Sequence, residues 1–228
     1  MEKRQTLRWW DILIVTIILF GTAIDNSTYS LLYDSAEEMA EACEYSTMDN
    51  WLGILEILLE LFVAFVYLKI RRFDFTTIRY QVTAKGTLLA LGVYLLISIG
   101  MDLNTILFYG WEEATWYVGS LGILEALREI DLSLLAFSFI NGIYEEVFFL
   151  GICVAVNPKY RMHFFIYSMI VRFSFHTYQG IPNAIGIGFV IGAIYYVLYR
   201  KRKDKNLYPY MLSHSLADIF GAGILPLL

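Results

Sequence analysis

The chain has 228 residues, 58% of them hydrophobic and 17% charged, with a net charge of −5 and a mean hydropathy of +0.56. A soluble domain carries about a quarter of its residues charged, so this composition excludes a soluble globule and requires an integral membrane protein. The acidic balance argues against nucleic acid as a partner, and two cysteines, Cys43 in a polar loop and Cys153 in an apolar run, make no disulfide framework.

A bilayer core about 30 Å thick needs about 20 apolar residues per helix. Seven hydrophobic segments answer to that ruler: 9–33, 51–70, 86–109, 132–156, 162–178, 182–199 and 209–228, the fifth being the shortest and most polar. The first follows Lys3, Arg4 and Arg8 and lacks a small-residue cleavage site, so it reads as a retained helix. The stretch 111–130 alternates acids with Leu and Ile at helical spacing and reads as an interfacial helix. The expected fold class is therefore all-α, a polytopic transmembrane helix bundle of about seven spans plus that interfacial helix. Residues 1–131 supply N-terminal membrane helices and an acidic outer loop, and residues 132–228 supply core helices, within one membrane domain.

Charge sets the orientation. With the N-terminus inside, segments 1–8, 69–85, 157–161 and 200–208 hold every Lys and Arg except Arg128 and Arg172, as the positive-inside rule requires. The outer loop then receives Asp34, Glu37, Glu38, Glu41, Glu44 and Asp49, and reads as a solvated acidic face. Trp9, Trp10, Trp51, Trp111 and Trp116 fall near the span ends, where an aromatic belt would lie. Short loops and the retained first helix point to a bacterial cytoplasmic membrane. Two small-residue stripes, Ala184/Gly188/Gly192 and Ser213/Ala217/Gly221, read as close helix packing.

A titratable side chain in hydrocarbon costs roughly 2.5 kcal/mol or more, so each one is a functional candidate. Here they cluster: Glu145 and Glu146 in the fourth segment, Arg172 and His176 in the fifth, His214 and Asp218 in the last. A spacing of four puts Arg172 with His176, and His214 with Asp218, on single helix faces. At 1.5 Å per residue from the basic ends, Glu145 lies about 16 Å deep, His176 about 21 Å, His214 about 10 Å and Asp218 about 16 Å, close enough in depth to meet. A buried glutamate beside two imidazoles can activate water, and two histidines with two carboxylates can equally form a zinc shell. The residues leave both readings open, with Glu145, His176 and His214 as candidate metal ligands. Glu56 and Glu60, which share a face of the second segment, read as structural or pathway residues.

Three segments carry a family resemblance: Glu145-Glu146-Val-Phe-Phe-Leu-Gly151, Ser174-Phe-His176 with Gln179-Gly180, and His214-Ser-Leu-Ala-Asp218. They resemble, in order and on separate helices, the motifs of the CAAX protease and bacteriocin-processing family of intramembrane endopeptidases. The resemblance implies that Glu145 activates the attacking water with His176. It implies also that His214 and Asp218 match the pair that stabilises the oxyanion, and that Glu146 supports the site. It leaves the cofactor open between zinc and none, as in a glutamate-only mechanism. The implied partners are membrane lipid and a membrane-associated peptide or protein substrate. Two positions depart from the family pattern: Leu150 stands where the first motif usually has arginine, and Arg172 where the second usually has phenylalanine. Arg172 is accordingly expected to replace the missing guanidinium and pair with Glu146.

Hydrolysis of a peptide bond by a metallo- or glutamate-type endopeptidase is the leading reading. The alternative is a non-catalytic membrane protein of the same fold that confers bacteriocin immunity or regulates a membrane partner. A metal or proton pathway is disfavoured because no inverted repeat is visible.

Overall fold

The computed structural model describes residues 3–41, 45–116, 118 and 122–228, and only the backbone of residues 36, 40, 41, 113, 115 and 116. The described residues are helical and form no strand. Apart from three isolated bridges, the elements in chain order are α1 (Trp9–Tyr33), α2 (Ala36–Glu41), α3 (Thr47–Ile70), α4 (Ala84–Trp116), α5 (Ile123–Glu129), α6 (Leu132–Glu146), α7 (Arg161–Ser174), α8 (Ile181–Ile185), α9 (Gly192–Lys201) and α10 (Tyr208–Phe220). A π-helical segment, Val147–Ile152, prolongs α6, and another, Gly186–Ile191, joins α8 to α9. Cys153 is buried and free, whereas Cys43 lies outside the described residues, as do the side chains of Glu41, Glu44 and Trp116.

Five of the seven expected segments become helices long and apolar enough to cross a bilayer: Trp9–Tyr33, Thr47–Ile70, Ala84–Glu112, Leu132–Ile152 and Ile181–Lys201. The fifth and the last do not. α7 has 14 residues and α10 has 13, which at 1.5 Å each reach only about 20 Å. α7 gives way to a 3-10 turn, Thr177–Gln179, and α10 stops at Gly221, whose φ of +85° suits glycine. The interfacial helix expected over 111–130 is also divided. Gly110 turns to φ +85° inside α4, so residues 111–116 continue that helix across a kink, and α5 begins separately at Ile123.

Helix starts follow ordinary cap chemistry. Ser46 accepts from the Asp49 backbone N–H, and Asp131 accepts from that of Leu134. The Leu134 N–H, with Ser133 and Thr47, also holds the Asp131 carboxyl below its usual range.

α10 packs chiefly on α6 and α4, α3 on α6, and α7 on the Gly186–Ile191 segment. Glycines permit the closest of these contacts. A Cβ at Gly142 would sit 2.7 Å from the Met211 carbonyl and 2.8 Å from Ser215 Oγ, so α6 and α10 touch there. A Cβ at Gly188 would meet Phe173 at 2.7 Å, which makes the Ala184/Gly188/Gly192 stripe a packing seam. The π segment after Glu146 shares its side chains between two cores. Phe148 and Phe149 join Phe20 and Phe175, with ring centroids 4.8–5.4 Å from that of Phe20, while Leu150 joins Tyr195 and Leu207 in the other.

Candidate active site

Glu145 and Glu146 end the regular part of α6, Arg172 lies in the last turn of α7, His176 follows it at the turn, and His214 and Asp218 share one face of α10. The fold brings five of these six together in one hydrogen-bonded and ionic cluster. Glu146 is its anchor, fully buried at 0% exposure. Arg172 Nη2 donates to Glu146 Oε1 at 2.8 Å, and His214 Nδ1 bonds to the same oxygen at 2.8 Å. The pairing expected of Arg172 with Glu146 is therefore present. The guanidinium lies 4.2 Å from the Phe149 ring centroid and 5.7 Å from that of Tyr195, stacked between α6 and α9.

Glu145 stands more openly. Its Oε1 is 3.4 Å from Asn141 Nδ2 and 3.7 Å from His214 Nε2. Its Oε2 is 3.8 Å from Arg172 Nη1 and accepts no hydrogen bond from any described residue. Asp218 is held by Asn141, whose Nδ2 donates to Oδ2 at 3.0 Å, and lies 3.5 Å from His214 Nε2. His214 thus faces three carboxylates, which supply the counter-charge an imidazolium would need.

His176 has a different anchor. Its Nδ1 lies 2.7 Å from the Arg172 carbonyl, an acceptor only, so Nδ1 carries the proton and Nε2 keeps its lone pair when the ring is neutral. The Arg172 residue therefore acts twice, by its side chain on Glu146 and by its backbone on His176.

All of these except Glu146 line a cavity of about 690 Å³ between α1, α3, α6, α8 and α10. Two residues of this neighbourhood were not anticipated. Asn141, one turn before Glu145, is a polar residue on the same helix face, and that i, i+4 spacing is its sequence signal. Tyr195 is buried and donates to Ser213 Oγ at 3.0 Å; it is one of 17 tyrosines, and nothing in the sequence singles it out. Glu56 and Glu60 also line the cavity, and Tyr144, beside Glu145, donates to Glu60 Oε2 at 2.7 Å. Asp102 lies within α4 and accepts from the backbone N–H groups of Ile224 and Leu225. It secures the C-terminal segment and stands outside the cluster.

Among the described residues, Glu145, Glu146 and His214 bring donor atoms within 4.8 Å of one another and could hold a divalent cation; His176 is not in that group. The donor set fits a metal badly. Glu146 Oε1 is already occupied by a guanidinium and an imidazole N–H, which leaves its Oε2, without a partner among the described residues, as the open donor; what opposes a cation is Arg172, a fixed positive charge within 4 Å of both carboxylates. Like charges at that range repel strongly in a dry site.

No curated protein and no solved structure matches the chain. Residues 129–220, which hold the cluster from Asn141 to Asp218 and all three motif segments, match the family model described as type II CAAX prenyl endopeptidase Rce1-like, the family that those motifs resemble.

Proposed function

We propose that the protein is an intramembrane endopeptidase that hydrolyses a peptide bond in a membrane-associated peptide or protein with water activated by Glu145. The observation that carries this reading is a buried carboxylate, 3% exposed, in the wall of a cavity that two imidazoles also line. Water bound there gives a proton to Glu145 and attacks the scissile carbonyl. His176 Nε2, left as an acceptor, orients that water. The oxyanion is met by Nε2–H of the protonated His214 ring, fixed before substrate arrives. Asp218, 3.5 Å from that nitrogen and itself held by Asn141, keeps the donor in place, and Glu146, neutralised by Arg172, holds the other side of the ring. Collapse of the tetrahedral adduct returns the proton from Glu145 to the leaving amine. No step runs through a metal. The protein is read as resident in a bacterial cytoplasmic membrane with its N-terminus inside.

Glu145→Gln keeps the shape and removes the base. In purified full-length protein, with a peptide library and cleavage products read by mass spectrometry, the parent should cut and the variant should lose about 10²-fold or more of the rate. A variant that cuts as well as the parent would remove Glu145 from the mechanism.

A further inference from the structure

The cavity has a direction. On α1 its wall runs from Leu19 to Asn26, on α3 from Glu60 back to Asp49, and on α6 from Glu145 back to Leu134. After α7 it continues to Gln179, and on α10 it runs from His214 to Gly221. Each of these stretches leads from the middle of a helix toward the pole that carries the acidic segment 34–49. No residue of the basic segments 1–8, 69–85, 157–161 or 200–208 lines it.

The basic pole is sealed. The Arg4 N–H donates to the Arg72 carbonyl at 2.9 Å, the Asp74 N–H to the Arg4 carbonyl at 2.9 Å, and the Leu7 N–H to the Ala155 carbonyl at 2.7 Å. Leu7, Phe73 and Val156 are buried beneath that layer. A second hollow at this pole, beside Trp9 and Tyr160, shares no residue with the first.

We infer that the catalytic cavity opens away from the cytoplasm and takes a cationic peptide segment presented at the non-cytoplasmic face of the membrane. The positive-inside rule puts the sealed, base-rich pole in the cytoplasm. The rim has the opposite charge: Glu37 and Glu38 are exposed on α2, which packs on the Thr177–Gln179 turn, and Asp49 and Glu56 stand in the wall. Of the seventeen Lys and Arg, only Arg128 lies in a segment at that pole. Such a mouth raises the local concentration of cationic chains and repels anionic ones. The inference names the substrate face of the endopeptidase proposed above and rests on that reading for its use, though not for its test.

The test is single-cysteine labelling of the full-length chain in a Cys43→Ser, Cys153→Ala background, with a membrane-impermeant maleimide on intact cells and again after permeabilisation. Ala217→Cys, on the cavity wall, and Asn183→Cys, nearer its mouth, should label in intact cells, and Lys203→Cys only after permeabilisation. Labelling of the wall cysteines only after permeabilisation, or of neither in any condition, would overturn the inference. A lysine-rich apolar peptide should then protect Ala217→Cys at a concentration about tenfold lower than its glutamate-substituted counterpart, a gap that narrows as salt is raised. Equal protection would overturn the charge assignment. Labelling needs no cleavage, so a protein that labels as expected but cuts nothing counts against the endopeptidase reading alone.

Discussion

Arg172 is the residue on which the charge balance of the cluster turns. It is 2% exposed and reaches Glu146 at 2.8 Å and Glu145 at 3.8 Å. Removing one partner of a buried pair typically costs about 3–5 kcal/mol, because the other charge is left alone. Arg172→Phe should therefore lower the melting temperature in detergent and abolish peptide cleavage together. Leu150, one turn beyond Glu146, is buried at the position where the resembling family has its arginine. Arg172→Phe combined with Leu150→Arg should restore part of both quantities. Equal loss in the single and double variants would show that the two departures from the family pattern are unrelated. The sequence made this pair legible because two departures at adjacent turns of separate motifs compensate in charge. It gave no sign that the same residue would also fix the His176 tautomer, since a backbone carbonyl carries no sequence signal.

At the level of elements, the approach of α10 to α6 sets the distance from His214 to both glutamates. Gly142 permits it, with no room for a Cβ against the Met211 carbonyl. Gly142→Ala should push α10 outward. Overpacking of this kind costs about 1–3 kcal/mol, against a helix-propensity gain of about 1 kcal/mol from replacing glycine. The variant should thus lose activity out of proportion to its stability, read as cleavage rate against melting temperature. Gly92→Ala, where a Cβ would meet nothing within 4 Å, should hold or raise the melting temperature and leave the rate unchanged. A Gly142→Ala protein as active as the parent would show that α10 adjusts freely. The stripe Ala184/Gly188/Gly192 was legible as a seam because it repeats every four residues. Gly142 was not, because a lone glycine has no period, and Gly221, third in the other stripe, ends α10 instead of packing it. The π segments escaped for a similar reason: the insertion of one residue per turn changes which side chains share a core without changing composition.

For the whole molecule, charge distribution was the most legible property. The separation of bases from acids into two poles is written in the loops, and it agrees with a cavity open at one pole and a seal at the other. Span number was less legible, because hydropathy over 162–178 and 209–228 reports burial in the bundle as readily as passage through lipid. A side-chain clasp adds to the backbone bonds of the seal. Asp11, buried at the start of α1, accepts from Arg71 Nε at 2.6 Å and from the Tyr67 hydroxyl at 2.8 Å, tying α1 to the end of α3. Its two partners are not equivalent, since Asp11 is 2% exposed in its side chain and Arg71 is 27% exposed. Arg71→Ala strands a carboxylate in the interior, with only the Tyr67 hydroxyl and the Arg8 N–H to stabilise it. Asp11→Asn leaves a guanidinium that water can still reach, and an amide that keeps an acceptor for Tyr67. Arg71→Ala should therefore lower the melting temperature more than Asp11→Asn, although both break the same bridge. Equal shifts would mean that the clasp acts through packing and that desolvation of Asp11 is not what holds the basic pole closed.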